Sequence, residues 1–111
     1  VYSGDDILNL PLLSVGAQGF VSVCGHTVGA RLREMLDAWF SNNPSRALSI
    51  HQELLPVFTG TFRTQGAILT KAALNLLGLP GGKVRLPLVD ATASQIEQLK
   101  IDLKSGGVKL N

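Results

Sequence analysis

The side chains able to do chemistry are few and widely spaced. Asp5 and Asp6 stand together behind Gly4, Cys24 precedes His26 by two positions, and His51 and Lys71 follow singly. Two neighbouring carboxylates suggest general acid/base work, in which one is ionised while the other holds a proton. Adjacent side chains point apart, however, so the better reading is that Asp5 or Asp6 caps the helix that follows by accepting its free backbone N–H groups. His26 and His51 lack metal-ligand spacing, and no metal site is expected. Cys24 reads as a small buried hydrophobe. Lys71 falls on a predicted helix, where a lysine is ordinarily solvated.

The elements that must carry these residues can be read from periodicity. Val1–Ser3 is short and β-compatible, and Gly4-Asp5-Asp6 punctuates it. A helix is predicted over about Ile7–Val15, with Ile7, Leu8, Leu12 and Val15 as its apolar stripe, Pro11 as an awkward member and Gly16 past its end. Gly19–Cys24 reads as a strand that is apolar on both sides, the pattern of a buried parallel strand. A loop at Cys24–Thr27 leads into an amphipathic helix from about Val28 to Phe40. Asn42 or Asn43 with Pro44 opens another helix, whose period runs through Ala47, Leu48, His51, Leu54 and Leu55 up to Pro56. Further helices fit Gly66–Leu77 and, behind a capping box at Thr92–Gln95, a last one aligned on Ile96, Leu99 and Leu103. Pro80-Gly81-Gly82 is a loop, and Arg85-Leu86-Pro87 is expected to be extended.

Composition limits the function classes. The 111 residues allow one domain, 45% hydrophobic but only 16% charged, against about 25% in a typical soluble domain. Such a chain is not disordered, and a single cysteine cannot build a disulfide scaffold. Gln18, Ser22, His26, Arg31 and Lys71 interrupt every candidate membrane span, and no signal peptide is expected. Ten basic against eight acidic residues give a net charge of +2, too little for a nucleic-acid footprint. A cytoplasmic globular segment is the expectation, with more apolar surface than its charge can cover. Two parallel strands cannot form a sheet buried on both faces. Either they pair with another chain or, more simply, the sequence is a piece of a larger α/β domain.

An ordered set of motifs gives that idea a shape. Ser3-Gly4-Asp5-Asp6, Leu12-Leu13, Gly16-Ala17, Gly19-Phe20-Val21-Ser22-Val23, Leu54-Leu55-Pro56, Lys71-Ala72-Ala73-Leu74, Leu77-Gly78-Leu79 and Arg85-Leu86-Pro87 occur in this order. Together they resemble the carboxyl-terminal part of the dihydrodipicolinate synthase (4-hydroxy-tetrahydrodipicolinate synthase) family. These are pyruvate-dependent class I aldolases related to N-acetylneuraminate lyase. The resemblance implies the α/β fold of a (β/α)8 TIM barrel, of which this chain holds the last two β/α units (residues 1–42) and an appended helical region (residues 43–111). Val1–Ser3 would end strand seven and Phe20–Val23 would be strand eight.

The resemblance also implies the chemistry. A barrel lysine forms a Schiff base with pyruvate, and the enamine attacks aspartate semialdehyde, a step in lysine and diaminopimelate biosynthesis. By the family pattern that lysine and a proton-relaying tyrosine lie upstream of Val1, so no catalytic residue is assigned here and the isolated chain is expected to be inactive. Lys71, in the appended region, is a decoy for the Schiff-base lysine. Gly4 matches the glycine that lets backbone approach the keto acid, and Val21 the branched residue that contacts pyruvate. Without the resemblance, Gly4 reads equally as a turn glycine and Val21 as plain core. His26 would lie on the functional face, at the substrate rim or as an ordinary loop histidine. No cofactor is implied. The partners implied are the two substrates, the missing amino-terminal part of the barrel and, when complete, a homotetramer. Neither nucleic acid nor a membrane is expected. Where many members have Asn-Pro this chain has Gly66-Ala67, and where they have a Thr-Ala-Asn type stretch it has Cys24-Gly25-His26. Those departures leave room for a sister aldolase of the N-acetylneuraminate lyase type. A non-catalytic helical scaffold or interaction module is the other alternative.

Overall fold

A computed structural model describes residues 1–110. Among them are five α-helices: α1 (Asn9–Ser14), α2 (Gly25–Phe40), α3 (Pro44–Thr61), α4 (Gly66–Leu76) and α5 (Ala93–Ser105). A 3-10 turn at Asp6–Leu8 precedes α1. Helix α3 is central: it packs on α1, α2, α4 and α5. The core is made of Leu32 and Met35 from α2, Ile50, Leu54, Val57 and Phe58 from α3, Leu69 from α4, and Leu99 and Leu103 from α5. No described helix is long and apolar enough to cross a membrane.

The caps follow local chemistry. Asn43 accepts the Arg46 N–H at 3.2 Å, with Pro44 in the first turn of α3. Thr92 and Gln95 form the expected reciprocal box, Gln95 N–H to Thr92 Oγ1 at 3.2 Å and Thr92 N–H to Gln95 Oε1 at 2.9 Å. Gly16 and Gly107 end α1 and α5 with φ of +103° and +84°, a region closed to most side chains.

Five expectations are corrected. The strand predicted over Gly19–Cys24 reduces to one parallel bridge, Ser3 to Phe20. Only one neighbouring segment is available to pair, and the amides of Val23 and Cys24 are taken by a carboxylate instead of a strand. Burial on both faces is also absent, since Val21 is 74% exposed. Second, α2 starts at Gly25, and the expected loop is its first turn, set off by a non-helical Val28 (φ −127°, ψ 26°). Third, the helix expected over Ile7–Val15 is shorter and buries Leu10 and Leu13, while Ile7, Leu8 and Val15 are exposed. The 3-10 turn advances three residues per turn, so it shifts the stripe out of the 3.6-residue phase.

Fourth, α3 runs through Pro56 to Thr61. Burying Val57 and Phe58 is worth about 1.5–3 kcal/mol each, which matches or exceeds the roughly 3 kcal/mol cost of a proline inside a helix. Fifth, the segment expected to be extended is a turn, closed by Leu88 N–H to Arg85 C=O at 3.0 Å with Leu86–Pro87 in cis.

Candidate functional site

Three backbone hydrogen bonds lay two segments side by side: Gln18 N–H to Val1 C=O at 2.9 Å, Ser3 N–H to Gly19 C=O at 2.9 Å, and Val21 N–H to Ser3 C=O at 2.8 Å. Gly4 follows Ser3 and Val21 follows Phe20, so both sequence-predicted site residues leave the pair at the same, carboxyl-terminal end. A Cβ built on Gly4 would meet nothing within 4 Å. Its missing side chain therefore leaves room for an approaching group without being demanded by packing inside the chain. Val21 presents an apolar side chain at the same end, largely exposed.

One residue fixes that end, and sequence reasoning gave it the wrong task. Neither Asp5 nor Asp6 caps its own helix: Asp5, at the cap position, makes no side-chain bond there. The Asp6 carboxylate instead reaches across to the second segment, buried to 2% exposure. Its Oδ1 accepts from Asn9 Nδ2 at 3.1 Å and from the Ser22 hydroxyl. Its Oδ2 accepts the backbone N–H groups of Val23 at 3.1 Å and Cys24 at 2.9 Å. These amides stand just ahead of α2, so Asp6 ties the segment that enters this helix to the first segment and sets where Val21 stands. Ser22 Oγ also accepts the Gly25 N–H at 2.8 Å. Acid/base chemistry by an Asp5–Asp6 pair is not available, since Asp6 has spent both oxygens.

Next to this anchor the Cys24 thiol is pushed up to about 12, first by burial and then by the Asp6 charge. A thiol so placed is a poor nucleophile at neutral pH. Among the described residues there is no cluster of three His, Cys, Asp or Glu able to hold a metal ion.

A wall stands over the Gly4 end. Gly4, Asp5, Ile7, Phe58, Thr59 and Phe62 line one cavity, and Phe62 also lines a second with His26 and Lys71. The end of α3 is fixed by Asp102 of α5, which accepts Arg63 Nε at 2.7 Å, Arg63 Nη2 at 3.1 Å and Gln98 Nε2 at 3.1 Å. The same pairing raises the Arg63 guanidinium above its ordinary value. Gly60 allows the approach, because a Cβ there would lie 2.5 Å from Asp102 Cβ. His26 is exposed, and Lys71 donates Nζ to the Lys83 carbonyl at 2.8 Å. His51 lies apart, buried in α3 against Phe58.

One parallel bridge, whose second segment runs straight into α2, is followed by a packed helical region. The chain belongs to the dihydrodipicolinate synthetase family, whose profile matches residues 1–106. It is 62% identical over 109 residues to 4-hydroxy-tetrahydrodipicolinate synthase 2 of Streptomyces coelicolor, a match covering 98% of this chain and 36% of that protein. It is 55% identical over 106 residues to the 4-hydroxy-tetrahydrodipicolinate synthase of Acidothermus cellulolyticus, covering 96% of this chain and 34% of that one. Among solved structures, the Cyanidioschyzon merolae enzyme with lysine bound superposes with a TM-score of 0.91 at 43% identity, over 97% of this chain and 37% of its own. The Thermotoga maritima dihydrodipicolinate synthase gives 0.92 at 34% identity, over 96% and 36%. The chain thus spans about a third of the length of the relatives it matches.

Proposed function

We propose that this chain is the carboxyl-terminal portion of a Schiff-base lyase that condenses pyruvate with aspartate semialdehyde, a 4-hydroxy-tetrahydrodipicolinate synthase of lysine and diaminopimelate biosynthesis. The observation that carries the reading is the family match running through the parallel pair, with Gly4 and Val21 at one end of it. On this reading residues 1–42 are the last two β/α units of a (β/α)8 barrel and residues 43–111 its helical appendage; Asn111 lies outside the described residues. Active sites of such barrels sit at the carboxyl ends of the strands, the end that Gly4 and Val21 share.

The chain's own part is to wall the keto-acid site. Gly4 leaves the space beside the bound molecule free, Val21 covers its methyl side and excludes water, and Asp6 holds the turn behind Val21. The Schiff-base lysine belongs to the rest of the barrel, where partial desolvation frees its amine for attack. Lys71 is bound to a carbonyl and sits in the helical region, so it is left out of the chemistry. The complete enzyme is read as a cytoplasmic homotetramer. Incubating this chain alone with pyruvate and borohydride, then weighing it, tests the assignment. An unchanged mass is the expected result, and a stable adduct at Lys71 would overturn it.

A further inference from the structure

We infer, resting on the lyase reading above, that Gly66 is a positioning residue: its bare backbone seats the Phe62 ring, and the seated ring bounds the space for the aldehyde substrate. A Cβ built on Gly66 would lie 2.8 Å from Phe62 Cε1, 3.3 Å from Cδ1 and 3.5 Å from Cζ. Non-bonded carbons stand about 3.5–4.0 Å apart, so a side chain at position 66 and this ring position exclude each other. Gly66-Ala67 stands where the family resemblance expects Asn-Pro. The ring occupies the room an asparagine there would need.

Both partners of this contact are held from outside it. Phe62 closes α3, where its N–H bonds the Thr59 carbonyl at 3.3 Å. The next residue, Arg63, is clamped to Asp102 at 2.7 and 3.1 Å. Gln65 Oε1 accepts the Ala67 N–H at 2.7 Å and fixes the first turn of α4, on which the ring rests. The ring itself is not locked: it is 46% exposed, so a methyl added at position 66 can push it aside without disturbing the core. Its place matters because Phe62 lines both the cavity of about 440 Å3 that begins at Gly4 and the one of about 460 Å3 that includes His26. A condensation needs its two reactants in contact, so the aldehyde must stand against the keto acid at the Gly4 end. The ring is the apolar surface that the helical region turns toward that space. Displacing it removes a contact made with the aldehyde and not with pyruvate.

In the full chain, NOEs between the Phe62 ring protons and the Gly66 Hα pair are expected, and Gly66→Ala should shift the ring resonances while leaving the urea midpoint unchanged. The kinetic arm joins the chain to a polypeptide carrying the remaining family barrel. There Gly66→Ala should raise the KM for aspartate semialdehyde about ten-fold, the worth of one apolar group in a pocket, with kcat and the KM for pyruvate held within about two-fold. Because the effect passes through the ring, adding Gly66→Ala to Phe62→Ala should change the aldehyde KM by less than about two-fold. Absent NOEs, a pyruvate KM that rises as much as the aldehyde KM, or a full effect of Gly66→Ala in the Phe62→Ala background would overturn the inference. Turnover with an unmoved aldehyde KM in Gly66→Ala would refute the inference alone. No turnover by the wild-type pair would refute the lyase reading itself, and the inference with it.

Discussion

Replacing Asp6 probes the junction on which the candidate site depends. Its Oδ1 serves two side chains and its Oδ2 two backbone amides, all with the carboxylate buried. In Asp6→Ala the Asn9 amide and Ser22 hydroxyl can turn elsewhere, but the Val23 and Cys24 N–H groups cannot. Each buried donor left without an acceptor costs about 1–3 kcal/mol, so a total loss of about 3–4 kcal/mol is expected. In Asp6→Asn either amide orientation points an NH2 at one pair of donors, so about half the loss, roughly 2 kcal/mol, remains. Urea unfolding followed by the fluorescence of Trp39 and by far-UV circular dichroism reads both. A double-mutant cycle with Ser22→Ala should give a coupling of about 1 kcal/mol or more, because the two side chains bond directly. A loss below about 1 kcal/mol for Asp6→Ala, or additive single effects, would refute the argument that this carboxylate ties the two segments together.

Three further outcomes follow from particular contacts. Gly60→Ala would place a methyl 2.5 Å from Asp102 Cβ and should destabilise by about 1–3 kcal/mol in the same assay, loosening α3 from α5. Burial lowers the His51 imidazole below its ordinary 6.5, so the native state binds fewer protons than the unfolded one as pH falls below 6.5. Stability should therefore be level above pH 6.5, fall below it until the native pKa is reached, and lose that limb in His51→Leu, as read by urea midpoints between about pH 7.5 and about pH 5. Cys24, with its thiol at about 12, should resist iodoacetamide at neutral pH in the native protein and react once urea unfolds it.

Much of the helical region was legible in the sequence, because its signals are local. Asn43-Pro44 and Thr92–Gln95 carry their capping partners within three residues, and the stripes of α2 and α5 hold the 3.6-residue period. The misreadings come from non-local choices. Pro56 looks like a stop only until the burial of Val57 and Phe58 by neighbouring helices is weighed against it. Asp6 looks like a local cap because its four partners include three that lie 16 to 18 residues away. Phe62 and the Arg63–Asp102 pair, 39 residues apart, carry no sequence signal at all. Gly4 and Val21 are proposed as site residues on family resemblance; periodicity alone reads one as a turn residue and the other as core.

The central claim is that this chain supplies the wall of a pyruvate site and another part of the barrel supplies the lysine. The most direct measurement joins the chain to a polypeptide carrying the remaining family barrel, adds pyruvate and aspartate semialdehyde, and follows turnover alongside borohydride trapping. The account predicts restored turnover, with the trapped pyruvate on the added polypeptide and a raised KM for pyruvate in Gly4→Val and Val21→Asp. Pyruvate trapped on Lys71, or turnover indifferent to both substitutions, would contradict it.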